Sequence, residues 1–215
     1  MLEKMDAFFE ARLAGYDEHM LTEIEGAAEF YPATAALLPK IPGAKVLDLG
    51  CGTGLELQYY FAENPTAKVT GIDLSAGMLA ALEEKFRDKD LRLIRGSYFT
   101  EPLGQGYDAA VSVESLHHFT QEEKTGLYAK LHAALKDGGY FVLTDYFAPD
   151  EVYEQFYFDE LQRLKAAQGI ADTDFYHYDT PLTVAHEREA LRAAGFSRVE
   201  DRQAWGATHI LIAYK

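Results

Sequence analysis

Few folds accommodate the segment KVLDLGCGTGLE, Lys45 to Glu56. A short apolar run ends at Asp48, passes through Gly50, Gly52 and Gly54, and gives way to a helical pattern. A glycine-rich turn between strand and helix is a nucleotide-binding device, because missing side chains let the backbone approach a ligand. A dinucleotide fingerprint needs a third glycine where Leu55 stands; the spacing here is G-x-G-x-G. The acid two residues before the first glycine is poorly suited to a pyrophosphate and well suited to a cationic group.

The elements around this turn predict an α/β sheet. Strand candidates lie at 45–49, 67–72, 91–95, 107–113 and 138–144, with helix candidates at 54–63, 75–87 and 121–135 between them. The last of these opens with a capping box, Thr120 and Glu123, and shows one face of Leu127, Leu131 and Leu135. Such alternation implies right-handed βαβ units and a parallel sheet covered on both faces. An aromatic-rich helix follows at 150–169, then a helix at about 183–194 with Thr183 as N-cap and Gly195 as C-cap. Strands 196–203 and 207–214 are so closely linked that they must be antiparallel neighbours. Residues 1–42 read as a helical lead-in broken at Pro32, and residues 43–215 as the α/β domain, with an insertion at about 146–181.

Strand 67–72 runs into Asp73, nineteen residues after Gly54. A carboxylate at the tip of the second strand can accept hydrogen bonds from both hydroxyls of a ribose. The implied ligand has a ribose and a positive charge, and lacks a diphosphate to be cradled.

D-x-G-x-G-x-G followed by G-I-D resembles the class I S-adenosylmethionine-dependent methyltransferases, and the likeness runs from about Lys45 to Lys215, including LKDGGYFVLTD at 135–145. The resemblance implies a Rossmann-like, mostly parallel sheet of seven strands with an antiparallel last strand and helices on both faces. The count of seven strand candidates agrees. It implies that Asp48 and the Gly50–Gly54 backbone, with Cys51 and Thr53 in the same turn, hold the methionine end of S-adenosyl-L-methionine. Asp73 would hold the ribose, and Leu74 and Met78 would cover the adenine. Relatives often end the third strand in Gly-Asp. Here Gly96–Ser97 stands instead, so Ser97 is the expected adenine partner, with Tyr98 or Phe99 stacking on the ring. Glu114 at the tip of the fourth strand also faces the cofactor. Tyr16, in the Tyr16–Asp17 pair, would close over it as part of a helical lid. Cys51 is read as a packing residue between glycines, not as a nucleophile.

Methyl transfer from a sulfonium needs alignment and exclusion of water more than a fixed catalytic set. His117, beyond the fourth strand, is the candidate base, with the pKa of about 6.5 of an ordinary imidazole. His117, His118, Tyr146, Tyr176 and His177 are the candidate acceptor contacts. Asp145 either orients a cationic acceptor or caps helix 150–169, and Trp205 anchors the last hairpin. Two adjacent histidines suggest a metal, yet the sequence shows no companion ligand, and none is expected.

A net charge of −15 discourages nucleic acid and anionic membranes, and no apolar run approaches the roughly 20 residues of a membrane span. The single cysteine allows no intrachain disulfide. The expectation is a cytoplasmic monomer or homodimer that methylates a small aromatic or cationic molecule and releases S-adenosyl-L-homocysteine. Two alternatives stand beside it: a module that binds the cofactor without catalysis, and a methyltransferase of protein or RNA.

Overall fold

The computed structural model describes residues 1–170 and 175–215; residues 171–174, within the insertion expected at about 146–181, lie outside the described residues. The chain opens with β1 (Glu3–Lys4), α1 (Met5–Arg12), a 3₁₀ turn at Leu13–Gly15, α2 (Tyr16–Glu23) and α3 (Ala27–Ala36). The alternating region follows as β2 (Lys45–Leu49), α4 (Leu55–Glu63), β3 (Lys68–Asp73), α5 (Ala76–Lys85), β4 (Asp90–Arg95), β5 (Tyr107–Val113), α6 (Gln121–Ala134) and β6 (Leu135–Tyr146). The chain ends with α7 (Glu151–Gln168), β7 (Tyr176–His177), α8 (Val184–Ala193), β8 (Arg198–Trp205) and β9 (Thr208–Tyr214).

Seven strands form one sheet in the order β4-β3-β2-β5-β6-β9-β8. The first five are parallel, and β9 runs antiparallel to both of its neighbours. The order reverses between β2 and β5, which makes the crevice beyond their carboxyl ends the expected ligand site. Strand alternation sends Val46, Val111 and Val142 to one apolar layer, with Phe30, Leu57 and Tyr60. It sends Leu47, Ala110 and Phe141 to the other, with Leu131, Leu191 and Leu211.

The break expected at Pro32 does not occur. Pro32 lies inside α3, and the chain turns instead at Gly26, whose φ is +77°. A proline there forfeits one helical hydrogen bond, but Phe30, Tyr31 and Ala35 of the same helix are buried in the core. The fully buried Phe30 ring alone contributes about 1.5–3 kcal/mol, and Tyr31 adds to it, which offsets the lost bond. α3 is therefore a layer helix, and only the part of the lead-in before it lies over the crevice. A second feature was not legible: β1 pairs antiparallel with β7, with Glu3 opposite His177 and Lys4 opposite Tyr176. Among the described residues no helix is long and apolar enough to cross a membrane.

Candidate active site

The carboxyl ends of β2, β3 and β5 converge on one pocket, lined by Gly50, Asp73, Leu74, Met78, Tyr98 and Ser115. Gly50 has φ +72°, and a Cβ there would stand 2.0 Å from Ser115 Oγ, so only glycine fits. Asp73 Oδ2 accepts a hydrogen bond from the Gly52 N–H at 2.9 Å, and Oδ1 accepts one from the Ser75 N–H at 2.8 Å. Burial pushes the Asp73 carboxyl up, and these N–H groups oppose that. The carboxylate is thus aimed and half-buried at the strand tip.

Two carboxylates fasten the lead-in over this pocket. Glu10 of α1 accepts from Ser75 Oγ at 2.8 Å and from the Gly77 N–H at 3.1 Å, at the start of α5. Asp17 of α2 accepts from Thr53 Oγ1 in the glycine turn and from Lys85 Nζ at 2.8 Å. Met5, Phe9 and Tyr16 close the pocket from above, and its volume in this state is about 60 Å³.

Beyond it lies a cavity of about 810 Å³, walled by Phe8, Arg12, Tyr146, His177, Asp179 and Trp205 among others. Phe9, Tyr16, Glu114 and His118 line both spaces. Glu114 has φ +48° and is the one described non-glycine residue in that region, a strained backbone of the kind that gathers at functional sites. Its Oε1 accepts from Thr208 Oγ1 at 3.2 Å. Burial and the nearby Asp145 raise its pKa to about 8.

His117 Nδ1 lies 2.5 Å from Asp145 Oδ1, and Asp145 Oδ2 accepts from the Leu116 N–H at 2.8 Å. Burial opposes a charge on His117, but Asp145, Asp179 and Glu114 outweigh it and raise the pKa to about 9. The ordinary imidazole value expected from sequence is therefore corrected: a carboxylate on either side favours the cation. His118 shifts the other way, through burial and the charge on His117. Burial also lowers His177 to about 4. Asp179 resists its own burial and is held well below the usual carboxylate range by His118 and His117. Asp145 does not cap the helix after it; Asp150 does, accepting from the Tyr153 N–H at 2.8 Å.

A methyltransferase-domain family model matches residues 46–139. A sterol 24-C-methyltransferase of Gibberella zeae is 29% identical over 168 residues, which is 72% of this chain and 40% of that protein. The DhpI-SAH complex superposes with a TM-score of 0.71 at 18% identity, covering 96% of this chain and 93% of that one. An O-methyltransferase family 2 protein of Planctomyces limnophilus, in complex with apigenin, gives 0.69 at 19% identity, covering 98% and 62%. Residues 46–139 thus carry a methyltransferase domain, set in a fold shared with solved S-adenosylmethionine-dependent methyltransferases. The chain spans under half the length of the first curated relatives it matches.

The residues present fit S-adenosylmethionine. Gly50 leaves a bare backbone beside Ser115, Asp73 offers a carboxylate to a ribose, and Leu74, Met78 and Tyr98 offer apolar walls to adenine. Gly52 also lines the pocket, whereas Asp48, Cys51, Thr53 and Gly54 lie behind its wall. Asp48 is 1% exposed, packs against Glu56, and keeps an Oδ2 with no hydrogen-bond partner. Cys51 fills the space over Gly71, where a Cβ would come within 2.7 Å of its Sγ, which fits packing and not nucleophilic chemistry. Thr53 serves Asp17, and Gly54 starts α4. Gly96 and Ser97 stand outside the pocket lining, with Ser97 Oγ accepting from the Phe99 N–H at 3.3 Å.

Among the expected acceptor contacts, His117, His118, Tyr146 and His177 meet in the cavity, and Tyr176 does not. Successive residues of a strand point to opposite sides. In β7 that turns His177 inward onto Phe8, with ring centroids 3.4 Å apart, and Tyr176 outward into a separate cleft beside Leu161. Sequence reasoning missed Glu10, set Ser115 on the cofactor side only as part of Glu114–His118, and gave Asp179 no role. Glu10 directly follows Phe9 on a helix with no partner visible in the sequence, so only the fold could reveal its bond to α5.

Proposed function

We propose that this chain transfers the methyl group of S-adenosylmethionine to a small organic molecule held in the 810 Å³ cavity. One observation carries the reading: Phe9, Tyr16, Glu114 and His118 line the cofactor pocket and the cavity alike. A molecule in the cavity therefore adjoins the cofactor without entering its pocket. The volume lies in the range of about 300–1,000 Å³ typical of small-molecule sites.

The cofactor, when bound, supplies an electrophilic methyl on a good leaving group. The chain's own residues bind and align. Asp73 holds the ribose, Leu74, Met78 and Tyr98 the adenine, and the Gly50–Gly54 backbone with Asp48 behind it the methionine end. His117, His118, Tyr146 and His177 form the acceptor wall. The rings of Phe8, Phe9, Tyr146 and Trp205 suit a planar molecule or, through cation–π contact, an amine. Glu23, Glu25 and Asp179 outnumber Arg12 and the cationic His117 around the cavity, which supports a neutral or cationic acceptor. The apigenin bound by the Planctomyces limnophilus neighbour is a small molecule of the same class. The lead-in before α3 acts as the lid: with Met5, Phe9 and Tyr16 seated, about 60 Å³ is far too little for a nucleoside, so this segment opens to admit it.

A non-catalytic binding module is the competing reading, and a cavity that adjoins the cofactor pocket speaks against it. The test is a screen of aromatic and amine acceptors for S-adenosylhomocysteine release, beside calorimetry with S-adenosylmethionine. Cofactor binding with turnover of at least one acceptor is expected. Tight NAD binding without S-adenosylmethionine binding would overturn the reading.

A further inference from the structure

Two adjacent histidines had no companion in the sequence, and the fold provides one from 61 residues further along the chain, counting from His118 to Asp179. Asp179 Oδ1 lies 3.1 Å from His118 Nδ1 and 3.6 Å from His117 Nε2. One ligand atom from each of the three residues lies within 4.8 Å of the others. In a tetrahedral site with bonds of about 2.0–2.1 Å, neighbouring ligand atoms stand about 3.4 Å apart. The two measured edges bracket that value. Asp179 Oδ1 is also buried without an aligned hydrogen-bond donor, an acceptor that a cation would satisfy.

The support behind His117 points the same way. Its Nδ1 is engaged by Asp145 at 2.5 Å, and Asp145 is itself held by the Leu116 N–H. A carboxylate on one imidazole nitrogen, fixing the other for ligation, is the usual outer partner of a metal-binding histidine. A further polar group stands at the third ligand: Tyr146 neighbours both His117 and Asp179, with its ring centroid 4.6 Å from that of His117.

We propose that His117 Nε2, His118 Nδ1 and Asp179 Oδ1 bind one divalent transition-metal ion, with its open coordination positions facing the acceptor cavity. Two imidazoles and one carboxylate suit Zn²⁺, Fe²⁺, Co²⁺ or Mn²⁺ better than Ca²⁺ or Mg²⁺, which prefer all-oxygen sites. A second cluster, Glu114, His117 and Asp145, meets the same spacing, but it needs the His117 Nδ1 that Asp145 already occupies. Ligation through His118 Nδ1 replaces its 3.2 Å bond to the Tyr178 carbonyl. All three ligands line the cavity, so an open position can take a donor atom of the acceptor. A hydroxyl held there loses its proton more readily, as metal-bound water does. The metal site stands or falls separately from the cofactor site, which shares only His118 with it.

The experiment uses the full chain, stripped with a chelator, dialysed and titrated with Co²⁺ alone. Calorimetry and visible absorption should report one ion per chain, with ligand-field bands distinct from those of aqueous Co²⁺. Asp179→Asn and His118→Ala should each weaken Co²⁺ binding by about 100-fold or more, and Asp145→Asn by about 10–100-fold. His186→Ala, which alters a histidine–carboxylate pair between α8 and α7 away from the site, should leave it unchanged. Thermal unfolding of each variant separates loss of ligand from loss of fold. The proposal is overturned if the wild-type chain takes up no Co²⁺, or if folded Asp179→Asn and His118→Ala bind it as tightly as wild type. Binding of S-adenosylmethionine, measured in parallel, reports on the cofactor reading whatever Co²⁺ does.

Discussion

Asp17, in the lead-in, accepts a hydrogen bond from Thr53, in the glycine turn, and draws Lys85 to 2.8 Å on its other oxygen. One side chain thus ties the covering segment to the glycine turn. Glu10 makes a second tie to Ser75 and Gly77. The segment is held by a few polar bonds at its surface, and of its two helices only Met5 and Met20 are buried. That is the make-up of an element that opens without unfolding the domain.

Asp17→Ala should therefore loosen the lead-in without unfolding the core. The Lys85 pair is partly exposed and contributes at most about 1 kcal/mol; the Thr53 bond adds a similar amount. Amide exchange over residues 5–20 should quicken several-fold without cofactor, and S-adenosylhomocysteine should leave faster. Hydrogen-exchange mass spectrometry and stopped-flow release measure these. Equal protection of residues 5–20 in the wild-type chain with and without cofactor would remove the lid from the account.

Asp73→Ala should weaken S-adenosylmethionine binding by about 1–3 kcal/mol, or roughly 5- to 150-fold. The same variant frees the Gly52 and Ser75 N–H groups that Asp73 now satisfies. Asp73→Asn keeps one acceptor oxygen and should fall between the two. Calorimetry on the three chains checks the order, and unchanged affinity in Asp73→Ala would remove Asp73 from the ribose site.

The parallel sheet and the glycine turn were legible because each is written in local sequence. Val46 and Leu47 flow into Asp48 and three glycines, and the period then changes to that of a helix. Caps were legible for the same reason: Thr120 with Glu123, and Thr183 before α8, sit where they were expected. Pro32 misled because proline's local cost was set against no estimate of what Phe30 and Tyr31 gain by burial. Tyr176 was placed on the cavity wall for want of a register, and its partner strand, Glu3–Lys4, is too short to show any periodicity. Asp179 was passed over because its relation to His117 and His118 exists only after the segment beyond α7 folds back over the end of β5. Chemistry assembled from distant segments leaves no spacing to read.

Lys124 and Glu187 form a buried ion pair at 2.7 Å between α6 and α8, and Tyr128 donates its hydroxyl to the same carboxylate. Lys124→Met keeps the packing of the stem and leaves Glu187 charged and half-satisfied, which should cost about 3–5 kcal/mol. For a chain of this size that lowers Tm by roughly 6–20 °C. Adding Glu187→Gln should recover part of the loss, since the uncompensated charge is then gone. A Tm within a degree or two of wild type in Lys124→Met would show that the pair contributes little to the α6–α8 packing.

Asp48 and Glu56 give the fold its own pH dependence. Both are buried under the glycine turn, their carboxyl groups face one another, and Asp48 Oδ2 and Glu56 Oε1 lack partners. Burial first, and for Asp48 the neighbouring Glu56 next, pushes both pKa values up from those of the unfolded chain. The folded state therefore holds more protons than the unfolded state above about pH 4, and the contribution of this pair to stability falls as pH rises. The loss amounts to at most about 1.4 kcal/mol per pH unit for each proton retained. Elsewhere carboxylates such as Asp108, held below the ordinary range against its partial burial by Lys136, act with the opposite sign, so the pair is isolated by difference. Asp48→Asn fixes the neutral form. Its Tm should match wild type below about pH 4 and exceed it increasingly towards pH 8. If the cofactor's ammonium group is what the unpartnered Oδ2 awaits, the same variant should bind S-adenosylmethionine more weakly while being the more stable apoprotein. Melting curves across that range, with and without cofactor, measure both effects. A gap between the two chains that does not widen with pH would show that Asp48 is already ionised in the folded protein.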